Sequence, residues 1–376
     1  MKKLFALLLC VSMLFALVAC DKGSDDATEP EGSGDGVTEP GDEVTPLKVV
    51  NLINGTLGDL SFFDSTENGM KMLKAELGDA FEYTTQQLSY DETRWQPALL
   101  DASEGDADII ICGTWQMTSI LEGIADDYPD KTYLVYDASV DWTKGEFKNV
   151  HCIEYKQNEG SYLAGVVAAS MSKSGHIGFL GGMENTTIND FLVGYIQGAK
   201  DTNPDIKVSQ AFVGNFNDAG TGADLASVQF AGGVDVGFAC AGQAGLGMFE
   251  AAVNTDKDVL MVGVDSDQAM IFEGEDKLDR AEITMTSMLK RVDVSLYNAI
   301  KEYMNGTLVM GKTVSVGIAE NCINLADNKY YQELVPAEVR AAVKDAEDKI
   351  LAGDIKVITA FGMEQTELDA YRNAVK

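Results

Sequence analysis

Small and carboxylate residues follow two apolar runs in the stretch 233–268, and their chemistry suits a polar ligand. The first run, Val234–Ala239, ends close to Gly242, and the second, Val259–Val264, ends at Asp265. A carboxylate can accept hydrogen bonds from ligand hydroxyls, and a glycine lets the backbone approach a ligand closely. Ligands of open α/β sheets bind outside the carboxyl ends of the strands. The two strand ends therefore predict a binding cleft.

The same reasoning along the chain collects further residues near the ends of predicted strands. Aromatic faces suit stacking on a planar ring, and a carboxylate beside an ammonium group can serve two neighbouring hydroxyls at once. Trp115 is compatible with a core position or a pocket position. The predicted ligand-binding residues are Asp59, Phe62, Phe63, Trp115, Asp137, Phe238, Gly242, Asp265 and Lys290.

The residue patterns do not indicate an enzyme. His151 and His176 are the 2 histidines of the chain, and each adjoins an apolar strand, which favours structural roles. The sequence contains no nucleophile elbow, zinc-protease motif, phosphate-binding loop or dinucleotide fingerprint. With 60 acidic residues, a pair such as Asp265 and Asp267 is expected by chance. We predict no catalytic residue, no cofactor and no metal site.

Regular alternation of strands and helices from Leu47 onward must position these residues. The run Leu47–Ile53 predicts a first strand, and a helix from about Thr187 has its apolar side chains on one face at a 3.6-residue period. About five βα units are followed by about five more, which favours two doubly wound α/β lobes. A (β/α)8 barrel is the alternative.

Isolated elements after Asp279 predict that the chain crosses back between the lobes through a multi-strand hinge. The predicted first lobe comprises residues 47–155 plus about 284–318. The predicted second lobe comprises residues 156–283 plus about 319–376.

The amino terminus has the pattern of an exported lipoprotein. A basic start and an apolar run precede Cys20, and the residues before it resemble a bacterial lipobox. The resemblance implies removal of a signal peptide, residues 1–19, and a lipid on Cys20; an ordinary secretory signal is the alternative. Residues 20–46 are rich in small, proline and acidic residues, which predicts a disordered tether. We expect an extracytoplasmic protein anchored to the cell membrane.

The formal net charge of −32 argues against nucleic acid as a partner and against adsorption to anionic lipid, because both need a basic face. This charge fits a highly soluble body with an uncharged or cationic ligand, and we expect a monomer. Four widely spaced cysteines predict buried thiols, with a disulfide as the alternative. They are Cys112, Cys152, Cys240 and Cys322.

An ordered set of short motifs resembles the basic membrane protein family. The set includes Gly58-Asp59-x-Ser61-Phe62, Glu159-Gly160-Ser161-Tyr162 and Thr286-Ser287-x-x-Lys290, and it spans residues 47 to about 326. Members of this family are purine-nucleoside-binding lipoproteins that serve ABC importers. The resemblance implies a type I periplasmic-binding-protein fold whose two lobes close on a nucleoside, with an ABC permease as the membrane partner.

The resemblance also implies roles for matching positions. Phe62 and Phe238 would sandwich the base, and Asp137 would contact its edge. Asp265, Lys290 and the backbone at Gly242 would hold the ribose. The family usually has Asn after the Phe of the Ser-Phe motif, where this chain has Phe63.

Two other functions remain open. Without the amide at position 63, the same fold could bind a sugar or another small polar ligand. The protein could also be a sensor that presents its closed form to a membrane receptor. An enzyme on this fold ranks last.

Overall fold

The computed structural model describes residues 45–376. The predicted signal peptide, Cys20 and nearly all of the predicted tether lie outside these residues. Within them, the strands are β1 Leu47–Ile53, β2 Phe81–Gln87, β3 Ile109–Gly113, β4 Thr132–Tyr136, β5 Val150–Tyr155, β6 His176–Gly181, β7 Lys207–Phe212, β8 Val236–Cys240, β9 Leu260–Asp265, β10 Thr284–Lys290, β11 Lys312–Val316 and β12 Ile323–Leu325.

Helices follow most strands, as the predicted βα alternation requires. They are α1 Phe62–Leu77, α2 Trp95–Glu104, α3 Thr114–Glu122, α4 Gln157–Met171, α5 Thr186–Thr202, α6 Ala219–Ala231, α7 Leu246–Asn254, α8 Gln268–Gly274, α9 Leu278–Ala281, α10 Val292–Met304, α11 Lys329–Leu334, α12 Ala337–Ala352 and α13 Gln365–Asn373. Between residues 45 and 376, none of them is both long and apolar enough to cross a membrane.

The strands form two six-stranded sheets. The first has the order β11-β5-β4-β3-β1-β2 and is parallel throughout, and the second has the order β12-β10-β9-β8-β6-β7. Only β12 runs antiparallel to its neighbour in these sheets. We call the first sheet with α1–α3 and α10 the first lobe, and the second sheet with the other helices the second lobe. Two open sheets exclude the barrel alternative.

The strand β10 lies in the second sheet, whereas the sequence placed residues from about 284 in the first lobe. Its residues Thr284–Leu289 pair in parallel with β9. The helix α10 packs on α1 of the first lobe, so the chain crosses between lobes after Lys290. An apolar strand can pair with either sheet, and its sequence pattern does not specify which.

Helices α4 and α5 pack closely, which gives α5 a firm support in the second lobe. A Cβ added at Gly198 would lie 2.0 Å from the carbonyl oxygen of Tyr162, and one added at Gly194 would lie 2.3 Å from that of Asn158. Larger side chains would therefore force the helices apart. At its start, α5 is capped by Asn185, whose side chain accepts a hydrogen bond from the backbone N–H of Ile188. These contacts fix the part of α5 that reaches the cleft.

Candidate functional site

A cavity of about 290 Å³ lies where residues at the carboxyl ends of strands from both sheets meet. This volume is near the lower end of the range of small-molecule sites, about 300–1,000 Å³. Eight of the nine predicted ligand-binding residues line it: Asp59, Phe62, Phe63, Trp115, Asp137, Gly242, Asp265 and Lys290. The strand-end argument therefore predicted residues that the fold brings together around one cavity.

Phe238 is the predicted residue that does not line the cavity. The strand β8 continues to Cys240, so Phe238 lies within the strand and not at its end. Its side chain is fully buried, with ring centroids of Tyr195 and Phe179 at 5.2 and 5.6 Å. Cys240 is the residue of this strand that reaches the cavity. The prediction that Phe238 stacks on a ligand is therefore wrong, and its ring supports the core beneath the site.

Lys290 connects the two lobes at the floor of the cavity. Its ammonium group forms an ion pair with Asp137, the residue that follows β4 in the first lobe. Lys290 is 1% exposed, and its Nζ lies 5.4 Å from the ring centroid of Phe62, 5.1 Å from that of Tyr155 and 5.3 Å from that of Phe191. Burial raises the pKa of Asp137, and the charge of Lys290 opposes this rise. The buried ammonium is thus held by a carboxylate and three aromatic faces.

Asp265 is the last residue of β9, and this strand pairs with β10, which carries Lys290. The register pairs Asp265 with Leu289, so the two charged residues come from one sheet and not from opposite sides of the cleft. Ser61 of the first lobe donates a hydrogen bond of 2.6 Å to Oδ2 of Asp265. Burial raises the pKa of Asp265 to about 6, although Lys290 and Ser61 act to lower it. The predicted Asp265–Lys290 pair is adjacent, but Lys290 has its ion-pair contact with Asp137.

Asp59 has a different environment in the first lobe. Its Oδ1 accepts hydrogen bonds from the backbone N–H groups of Ser61 and Asp64, and its Oδ2 accepts one from Phe63. Burial nevertheless raises the pKa of Asp59 to about 7, because removal of water outweighs the backbone donors. This carboxylate holds the start of α1, and with it the ring of Phe62, in place.

Three residues at strand ends in the cavity adopt left-handed backbone angles that non-glycine residues rarely use. The φ angles are +68° at Thr114, +59° at Asp137 and +63° at Asp265. Thr114 is β-branched, so its conformation is a strong outlier. Such strain persists where the surrounding structure holds it and clusters at binding sites. The backbone therefore aims these side chains into the cleft.

Phe63 occupies the position where the family usually has Asn. Its side chain is 6% exposed, and a Cβ added at Gly55 would lie 2.1 Å from its ring. The ring thus lies against the backbone at the end of β1. Trp115 is 49% exposed and lines the cavity, which resolves its position in favour of the pocket.

Several lining residues were not predicted from the sequence. The loop after β7 contributes Asn215, Phe216 and Asn217, and the strand-end rule applied to β7 would have found them. Phe191 lines the cavity from inside α5, where an apolar face is the only sequence signal. Asn54, at the end of β1, donates to Thr114 Oγ1 over 2.9 Å, and its Oδ1 is buried without a protein donor among residues 45–376.

The histidines and cysteines have the structural roles that were predicted. His151 Nδ1 contacts the carbonyl oxygen of Val309 at 2.8 Å, and His176 Nε2 contacts the Ser209 hydroxyl at 2.8 Å. Within the described part of the chain, Cys112, Cys152, Cys240 and Cys322 are buried and form no disulfide with one another.

The sequence model of the family Bmp, described as ABC transporter substrate-binding protein PnrA-like, matches residues 47–357. The chain belongs to the Bmp family. It is 30% identical over 375 residues to a CD4+ T-cell-stimulating antigen of Listeria innocua, with 95% of this chain and 98% of the relative covered. It is 30% identical over 316 residues to basic membrane protein D of Borreliella burgdorferi, with 83% of this chain and 84% of the relative covered.

Solved structures share the fold of this Bmp-family protein. An ABC transporter solute-binding protein from Aeropyrum pernix K1 superimposes with a TM-score of 0.75 at 24% identity, covering 88% of this chain and all of that one. A second solute-binding protein, from Conexibacter woesei, superimposes with a TM-score of 0.66 at 20% identity, covering 84% of this chain and 99% of that one. The fold is the predicted type I periplasmic-binding-protein fold. These structures show the fold, whereas the role follows from the family match: the protein is an extracytoplasmic ABC transporter substrate-binding protein and not an enzyme.

Proposed function

We propose that this protein captures a nucleoside in the cavity between its lobes and delivers it to an ABC permease. The observation that carries the proposal is the pairing of chemistries in one cavity. Phe62 of the first lobe and Phe216 of the second offer aromatic faces, and Asp265 and Lys290 lie at the floor. A planar base joined to a hydroxylated sugar requires both features.

The base would stack between Phe62 and Phe216, with Phe216 in place of the wrongly predicted Phe238. Stacking on an aromatic side chain is worth about 1–3 kcal/mol per base. Asn54 offers the base edge a buried carbonyl oxygen, and Trp115 covers the mouth of the cavity. A purine amino group is a suitable donor for that oxygen.

The ribose would lie at the cavity floor. Among the described residues, only Ser61 donates a hydrogen bond to Asp265, so Oδ1 of Asp265 is available to sugar hydroxyls. Lys290 can donate to a neighbouring hydroxyl while it retains its contact with Asp137. Gly242, with a φ of +55°, brings the backbone to the same wall.

The remaining features of the proposal concern the membrane. A lipid on Cys20 and the tether of residues 20–46 would hold the protein near the permease as a monomer. The acidic composition gives no basic face for nucleic acid or anionic lipid. Attachment would then depend on the lipid and not on surface charge.

Isothermal titration calorimetry with adenosine, adenine, 2′,3′-dideoxyadenosine and myo-inositol tests the ligand class. We expect adenosine to bind most tightly, because only adenosine engages both the aromatic faces and Asp265. Phe216→Ala should weaken adenosine binding by about 1–3 kcal/mol. The matched control Phe238→Leu should lower the melting temperature but leave the affinity unchanged. Equal effects of the two substitutions on affinity would contradict the stacking role.

A sugar ligand is the second candidate. A solute-binding protein from Bacillus halodurans was solved with bound myo-inositol and superimposes with a TM-score of 0.55 at 16% identity. Asn185, Asn215 and Asn217 line the cavity with amides that suit hydroxyl groups. Tight binding of myo-inositol without binding of adenosine would replace the nucleoside proposal with this one.

A further inference from the structure

The C-terminal segment, residues 358–376, lies beyond the residues 47–357 that match the family and packs on the second lobe. Its Ala360 and Leu368 form a buried cluster with Val193 of α5. At its end, the carbonyl oxygen of Val375 accepts a hydrogen bond of 2.8 Å from the backbone N–H of Val208 on the edge strand β7. The segment therefore crosses from α5 to β7.

The first anchor of this segment is the buried carboxylate of Asp190, which is 1% exposed. Its Oδ1 accepts hydrogen bonds from the hydroxyl of Thr359 at 2.6 Å and from the backbone N–H of Ala360 at 2.8 Å. Its Oδ2 accepts one from Gln157 Nε2 at 2.6 Å, at the start of α4. One carboxylate thus joins α4, α5 and the C-terminal segment.

The second anchor is Arg372. Its guanidinium forms an ion pair with Glu184 and lies 5.0 Å from the ring centroid of Phe212. Its Nε donates a hydrogen bond to Gln210 Oε1 over 3.1 Å, and Gln210 Nε2 donates to the carbonyl oxygen of Arg372 over 2.9 Å. Arg372 therefore fastens the segment to β7 and to the loop between β6 and α5.

Both anchors adjoin residues that line the cavity. Glu184 lies between Met183 and Asn185, which both line it, and Asp190 directly precedes Phe191, whose ring contacts Lys290. Residues 183–191 thus form one wall of the cavity. A shift at either anchor would move this wall, because adjacent residues share a backbone.

We propose that the C-terminal segment is a positioning element of the binding site, acting through Arg372 and Thr359 on the wall formed by residues 183–191. Docking of the segment and binding of a ligand then stabilise each other, since thermodynamic coupling is reciprocal. The location of the site rests on the proposed function, but the identity of the ligand does not enter the inference.

Hydrogen exchange of the ligand-free protein tests the positioning role directly. Arg372→Ala should accelerate amide exchange in peptides covering residues 183–191, while its circular dichroism spectrum stays native. Lys349→Ala is the control for loss of a cation, because it removes an exposed ion pair with Asp345 on α12, away from residues 183–191. Unchanged exchange at 183–191 in Arg372→Ala, or equal acceleration in the control, would overturn the proposal.

Titration with adenosine tests the coupling. We expect Arg372→Ala to weaken binding by about 5-fold or more, the range of typical coupling. Thr359→Val, which keeps the side-chain shape, should also weaken binding. Arg372→Lys should bind more tightly than Arg372→Ala because it keeps the charge. Wild-type affinity in both Arg372→Ala and Thr359→Val would refute the coupling while leaving the proposed function intact. If the wild type fails to bind adenosine, the nucleoside proposal fails, and the exchange experiment still decides the role of the segment.

Discussion

Two buried carboxylates line the cavity from opposite lobes and differ in their partners. Asp59 in the first lobe accepts three backbone N–H groups from its own loop. Asp265 in the second lobe accepts one hydroxyl, from Ser61 across the cleft. Burial raises both pKa values, to about 7 and to about 6 respectively.

We propose that this difference separates a structural carboxylate, Asp59, from a ligand-binding one, Asp265. Both oxygens of Asp59 are used by the backbone, so this residue stabilises the start of α1 and has little capacity left for a ligand. Among residues 45–376, Oδ1 of Asp265 has no hydrogen-bond donor, and Oδ2 is fixed by Ser61 of the other lobe. Burial and a raised pKa are common to both carboxylates, so among the described residues the number of acceptor atoms without a donor is what distinguishes Asp265 from Asp59.

The largest expected effect is on ligand binding at Asp265. Asp265→Ala should weaken adenosine binding by about 2–5 kcal/mol, because it removes one charged partner from a buried network. Asp59→Ala, measured in parallel by calorimetry, should lower stability but weaken adenosine binding much less than Asp265→Ala does. Comparable affinity losses in folded samples of both variants would contradict the assignment of different roles to Asp59 and Asp265.

A smaller effect is expected on stability at Asp59. Asp59→Asn should lower the free energy of unfolding by about 1–3 kcal/mol, since an amide has a single acceptor oxygen and leaves either the N–H of Phe63 or those of Ser61 and Asp64 unpaired. Urea denaturation measures this difference, with Asp91→Asn as the control at an exposed carboxylate that also caps a turn. A loss no greater than in the control would show that the backbone contacts of Asp59 contribute little.

The smallest expected effect is the pH dependence of binding. A sugar hydroxyl donates to the ionised form of Asp265, so protonation competes with the ligand. The fraction of ionised Asp265 is high above its pKa of about 6, and it falls as pH decreases through that value. Affinity for adenosine should therefore fall about 10-fold in total between pH 7.5 and pH 5. Asp265→Asn should abolish this dependence, and a flat wild-type profile from pH 5 to 7.5 would exclude Asp265 as the acceptor.

Much of the candidate site follows from one rule about parallel sheets. Asp137 and Asp265 were found because each apolar strand and the residue after it are visible in the sequence. Phe238 was misplaced because it lies inside β8, two residues before the end of this strand at Cys240, and its ring is buried in the core. Phe216 follows β7 and was accessible to the same rule, whereas Phe191 on a helix was not.

Local sequence determined the strands, the amphipathic helices and the residues that cap them, because their signals depend on neighbours within a few positions. Only the tertiary structure decided that β10 joins the second sheet, that Lys290 pairs with Asp137, and that Arg372 reaches Glu184. The members of each ion pair are far apart in the chain, and several carboxylates would satisfy each cation equally well. Partner choice arises from how the two sheets and the C-terminal segment pack, and that packing is a property of the whole chain.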